Sequence, residues 1–219
     1  TAVDQFSKSV DAFRNLEAFG ARMNYLFDGA SDLAQQELDY IRGVADELGF
    51  EITSLQDQYA KFAIAASESG VSLANTRVIF EGVTAAARTN KLSTDEMGRA
   101  FTSLTQMMGK NQVMAEELKG QLAEALPGSV GLFAKSMGYA ENQMGQFYKA
   151  LENGDFRADA VVKFGEYLKG NFADSAKAAS MSFEAMMNRF KNSMTYAREA
   201  VAKNGLIDGL ADFMGRMQE

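Results

Sequence analysis

One proline in 219 residues, Pro127, leaves this chain with almost nothing that would break a helix. Ala occurs 33 times, against 16 for Ile and Val together. Ala loses no side-chain entropy in a helix, whereas β-branched residues favour strands. Apolar residues recur at steps of three and four, and nowhere do apolar and polar residues alternate for more than a few positions. The expected fold class is all-α, a multi-helix bundle of short-to-medium helices with a long helix towards the C-terminus. Glycines supply the punctuation, with Gly29, Gly49, Gly70, Gly109, Gly138, Gly154 and Gly205 falling where the periodicity lapses.

The first stripe runs Val3, Phe6, Val10, Phe13 and then Leu16, Phe19, Met23, Leu26. Ser31 is placed to cap a second helix carrying Leu33, Leu38, Ile41, Val44 and Leu48, which Gly49 ends. Thr53 with Gln56, and Ser93 with Glu96, have the spacing of capping boxes. Leu55, Tyr59, Phe62 and Ala66 follow the first box, and Met97, Phe101, Leu104 and Met108 the second. Ser72 starts the helix between them, through Ile79, Phe80 and Val83 to Ala87. A helix from Ala115 to Ala125 should stop at Pro127-Gly128, because Pro disfavours helical geometry in the residue before it. Shorter helices are expected around 130–137, 141–151 and 158–168. Three segments result: 1–70, 71–172 and 173–219.

In the last segment Phe183, Met187, Phe190, Met194, Ala197 and Val201 are spaced 4, 3, 4, 3, 4, which is a heptad seam. Such a seam serves as core in a bundle, as a coiled coil between copies of the chain, or as a membrane-facing stripe flanked by Arg189, Lys191, Arg198 and Lys203. Core is the default expectation. Asn204-Gly205 reads as a stop, with a final helix from Leu206 to Met217.

The absence of His and Cys excludes thiolate nucleophiles, imidazole triads, zinc fingers and disulfides. A net charge of −7 without a Lys/Arg run argues against a specific nucleic-acid surface. No stretch reaches the ~18–20 apolar residues of a membrane span. Asp28-Gly29 with Ser31 and Asp32 lacks the ligand order of a calcium loop, and no cofactor is expected. Glu117 and Glu124 lie seven apart on one predicted helix face, about 10 Å along its axis by the 1.5 Å rise. That exceeds the roughly 6.5–9.5 Å of inverting glycosidase pairs, so a hydrolase is disfavoured.

Between Gly109 and Gly138 one motif stands out. It comprises Glu116, Glu117, Leu118, Gly120, Gln121, Leu122, Glu124, Leu126, Pro127, Gly128, Met137 and Gly138. Physically it reads as helix, corner, helix. Gly120 would let another helix approach closely, and Gln121 and Glu124 would clamp the start of the next helix. The motif resembles the tape-measure domain of tailed-phage and prophage tape-measure proteins. Leu92-Ser93-Thr94-Asp95-Glu96 upstream and Leu151-Glu152-Asn153-Gly154 downstream extend the resemblance over roughly 71–172. It implies a non-enzymatic structural piece of a longer tail protein, and a first residue other than Met fits such a piece. That protein would set tail length and lie in the lumen of the virion tail, after assembly in the host cytoplasm. It would leave ahead of the DNA at infection. Implied partners are other copies of itself, tail-tube, tail-tip and tail-chaperone proteins, and a host envelope or defence protein. The alternatives are an all-α binding domain recognised by a host or tail partner and, less favoured, a peptidoglycan-cleaving tail hydrolase.

Overall fold

The structure, a computed structural model, describes residues 2–202, with side chains from residue 7 onward. It begins with α1 (Ala2–Leu26), α2 (Ser31–Leu48), α3 (Ile52–Glu68), α4 (Leu73–Thr89) and α5 (Thr94–Gly109). A π-helical segment, Glu116–Leu122, then runs into the short α6 (Ala123–Ala125). After α7 (Ser129–Ser136) and a 3-10 turn at Glu141–Gln143 come α8 (Met144–Asn153), α9 (Ala158–Ala179) and α10 (Phe183–Val201). No strand occurs among the described residues, as the helical spacing required. The side chains of Val3 and Phe6 lie outside the described residues, as do Lys203, the Asn204-Gly205 stop and the helix expected from Leu206 to Met217.

The chain divides into two compact units. One gathers residues up to Gln56 and those from Phe183 onward, and the other is Asp57–Ser182. In the first unit α1 packs on α2 and α10, and α10 on α2. Phe19, Met23, Leu38, Ile41, Phe50, Ile52 and Leu55 are among its buried apolar residues. Gly49 ends α2 as expected, at φ 70°, where a side chain would be strained. A Cβ there would also lie 2.3 Å from that of Ala185, so Gly49 additionally permits a close approach of α10.

The second unit holds two aromatic nests. Phe80 stacks on Phe101 at 4.8 Å and meets Tyr59 edge-on at 4.9 Å. Phe133 gathers Phe164 at 5.3 Å and Phe156 at 5.8 Å. Its most extensive helix pair is α4 with α9. That pair is glycine-dependent: a Cβ on Gly82 would sit 2.2 Å from the Gly165 carbonyl oxygen, and one on Gly165 2.6 Å from Ile79 Cα. The close approach expected at Gly120 is absent, because nothing lies within 4 Å of a Cβ built there.

Two expected caps form and two do not. Ser72 accepts from the Asn75 amide, and Ser93 with Glu96 closes a capping box in which the Ser93 amide donates to Glu96 Oε2 at 2.7 Å. Hydrogen bonds from the Ser93 hydroxyl and amide hold the Glu96 carboxyl below its usual range. Ser31 is instead the first helical residue of α2, after Ala30, which makes no side-chain cap bond. Thr53 and Gln56 form no box either. α3 begins at Ile52, two residues before the start that a Thr53 cap implies, Thr53 turns to Glu51, and the Ile52 amide is taken by Asn192 from α10. The helix expected to end near Leu168 continues to Ala179.

Candidate functional site

Two regions gather the residues singled out in the sequence, one in each unit. In the second unit the Glu116–Leu122 stretch is π-helical rather than α-helical, and the Ala123 amide reaches back five residues to the Leu118 carbonyl. Single π turns recur at functional sites and shift every following side chain around the axis. That shift separates the two carboxylates expected on one face: Glu117 is 1% exposed, whereas Glu124 is exposed. Glu117 Oε1 pairs with the Lys110 ammonium, whose proton affinity rises through that hydrogen bond. The Glu117 carbonyl accepts from buried Ser103 at 2.9 Å. Lys119 lies 4.2 Å above the Tyr148 ring.

Most of the motif is then accounted for as backbone instruction and core. Leu118, Leu122 and Leu126 are fully buried. Leu126-Pro127-Gly128-Ser129 is a type II turn: Gly128 sits at φ 80°, ψ 0°, and the Ser129 amide donates to Leu126 O at 3.1 Å. Gly138, at φ 86°, ends α7 with the Tyr139 amide bonded to Ala134 O and its own to Lys135 O. Met137 is half-buried beside it. The expected polar clamp does not form. Gln121 and Glu124 are exposed, and α7 starts at Ser129, after Gly128, with no side-chain cap. Glu116 is exposed as well.

In the first unit α10 reverses the usual arrangement of an amphipathic helix. Its buried residues are Ala185, Asn192 and Glu199, each seven apart. The seam expected as core lies on the opposite side and is exposed: Phe183 is 75% accessible, Phe190 62% and Val201 63%, with Met187, Met194 and Ala197 also exposed. At 100° per residue the two stripes are half a turn apart. The reason is a set of polar bonds to the corner between α2 and α3. Arg189 donates to the Asp46 and Glu47 carbonyls at 2.6 and 2.8 Å, and Asn188 to Gly49 O at 2.9 Å. Asn192 donates to Phe50 O and accepts from the Ile52 amide, both at 2.9 Å. The last carbonyls of α2 and the first amide of α3 thereby find partners that neither helix can supply itself.

Further along α10, Arg42 Nη2 meets Glu199 Oε2 at 2.6 Å, and the Arg42 guanidinium lies 5.0 Å from the Tyr196 ring centre. Tyr196 donates to Asp46 at 3.3 Å. Burial pushes the Glu199 carboxyl up, and the facing Arg42 offsets only part of that rise. Burial and the nearby Asp46 carboxylate push the Tyr196 phenol up too. With Phe13, Leu16, Phe19 and Leu38 this cluster lines a groove of about 660 Å³. Neither Asn192 nor Glu199 is marked out in the sequence, although both sit on a polar heptad stripe facing away from the apolar one. No group among the described residues has the makings of a metal site, and no helix among them is long and apolar enough to cross a membrane.

The described fold is that of a helical packing module: its marked residues shape turns, cap neighbouring helices or form an exposed apolar stripe. A family model described as tape measure protein matches residues 5–203. The probable tape measure protein of Salmonella phage Felix O1 (isolate Felix O1-VT1) is 27% identical over 128 residues, which is 58% of this chain and 17% of that protein. The chain thus spans under a fifth of the length of that relative. No solved structure matches. The chain belongs to the tape measure protein family, structural components of the virion tail.

Proposed function

We propose that the chain is a non-catalytic helical segment of a phage tail tape-measure protein. The match of the family to residues 5–203 carries this reading. In it the segment is made in the host cytoplasm, takes its place in the tail lumen and contributes its length to the ruler. It works beside further copies of itself, the tail-tube and tail-tip proteins and the tail chaperones, and leaves ahead of the DNA. A host envelope or defence protein is a further partner within the same reading. The net charge of −7 suits a filler that must part from the DNA that follows it, since like charges repel.

Engagement of Glu117 with Lys110 speaks for a structural carboxylate. A turbidity assay on purified cell walls is expected to show no clearing; clearing lost on Glu124→Gln would restore the hydrolase. The ruler is tested by duplicating residues 1–219 in frame within the phage gene and measuring tails by electron microscopy. If the segment lies extended as helix, tails lengthen by about 330 Å, from 1.5 Å per residue over 219 residues. Tails of unchanged length would overturn the proposal.

A further inference from the structure

We propose that the groove between α1, α2 and α10 is a docking site for a basic amphipathic helix of a partner protein, which lays its apolar residues along the groove and sets a Lys or Arg against the Glu199 carboxyl.

The groove has the shape for an elongated ligand. Its α1 wall runs from Phe13 to Asn24 and its α2 wall from Ser31 to Arg42, about 16 Å each by the 1.5 Å rise. Only residues 27–30 join α1 to α2, and the two helices pack on each other, so they run antiparallel. Asn24 and Ser31 therefore mark one end of the groove, and Phe13 and Arg42 the other. The volume of about 660 Å³ is roughly half that of a cylinder about 10 Å wide and 16 Å long, so it holds a row of side chains and not a whole helix. Anchors at i, i+4 and i+7 along one helix face fill such a space. On the α1 wall Gly20 leaves the main chain bare, with nothing within 4 Å of a Cβ built there.

The polar end selects the charge. Glu199 is 3% exposed, and Arg42 takes its Oε2 at 2.6 Å, while its Oε1 is buried with no hydrogen-bond partner among the described residues. A buried acceptor left open is costly, and a donor brought by a ligand recovers that cost. Burial pushes this carboxyl up and Arg42 offsets only part of the rise, so a second cation still has charge to neutralise. Arg42 does not invert the preference. Its guanidinium is committed to Glu199 and lies 5.0 Å from the Tyr196 ring centre. Exposed Glu17 stands one turn from Phe13 on the α1 wall. The groove therefore sets two carboxylates against one guanidinium, which attracts a basic helix and repels an acidic one.

Fluorescence anisotropy on the full 219-residue chain tests this. The probe is a labelled, end-capped helical peptide of Ala and Gln with Leu at i, i+4 and i+7 and Lys at i+11, all on one face over about 16 Å. It is expected to bind at neutral pH, with a Kd that rises about tenfold when its Lys becomes Gln and further when it becomes Glu. Glu199→Gln should erase the preference for Lys over Gln. Gly20→Leu should weaken every peptide by about tenfold or more with the helical circular dichroism unchanged, because the added side chain enters open space. No binding by the native chain, equal affinity for the Lys and Glu peptides, or binding indifferent to Gly20→Leu would overturn the proposal. So would binding that proceeds only as sedimentation shows a dimer coming apart, which would give the groove to a second copy. Tails indifferent to the duplication would remove the ruler and leave this groove standing, so the two failures are separable.

Discussion

α9 and α10 follow one another along the chain, yet they dock by opposite means. α9 meets α4 backbone to backbone, with Gly82 and Gly165 removing the side chains that would hold the helices apart. α10 meets α2 through polar side chains that satisfy helix ends, and it leaves its apolar side outside. The first contact depends on shape and tolerates no added volume. The second depends on donors and acceptors and tolerates substitution on its outer face. A helix with a clean apolar heptad is therefore not always buried by it, because unpaired backbone groups at a corner can claim the polar side first.

The contrast can be broken by mutation, most severely in the glycine contact. Gly165→Val drives a branched side chain into Ile79 Cα and should cost about 3 kcal/mol or more in urea unfolding of the full chain. A loss under 1 kcal/mol, on the same scale, would show that the two helices simply slide apart. Arg42→Ala leaves Glu199 buried and unpaired and should cost about 2–3 kcal/mol, reduced from the fully buried case because Arg42 is partly exposed. Asn192→Leu strips partners from the Ile52 amide and Phe50 carbonyl and should cost about 2 kcal/mol, read in the same titration.

A smaller effect lies in pH. The Glu199 carboxyl is raised by burial, so the folded state holds this proton more tightly than the unfolded chain, whose carboxyl starts from 4.5. Its contribution is then fully present below that value and is lost as pH rises through the folded value. Stability of the native chain relative to Glu199→Gln should therefore fall over that window, and a flat difference would refute the burial argument. The smallest expected change runs the other way. Gly120→Ala has open space around its Cβ and should stabilise by up to about 1 kcal/mol. Destabilisation there would mean that the π turn itself requires glycine.

Much of this was legible in residues 1–219. The all-α class, the Ser72 and Ser93 caps, the Gly49 and Gly138 stops and the turn at Pro127-Gly128 rest on neighbours within a few positions, so spacing reveals them. The tape-measure resemblance around 116–138 was readable for the same reason, since its motif is largely buried leucines and turn residues. What failed were inferences about surroundings. Thr53 lost its box because Asn192, 139 positions further on, took up the adjoining Ile52 amide. Gly120 and Gly165 look alike in sequence, and only the neighbour across the helix separates an idle glycine from an indispensable one.

The sequence by itself determined that this chain is helical, where most of its helices stop, and to which family of tail proteins it belongs. Only the tertiary structure decided which side of α10 is inside. Periodicity defines two stripes on α10 but assigns neither to the interior. That assignment came from the carbonyls and amides at the corner between α2 and α3, whose need for partners outweighed the burial of Phe183, Phe190 and Met194.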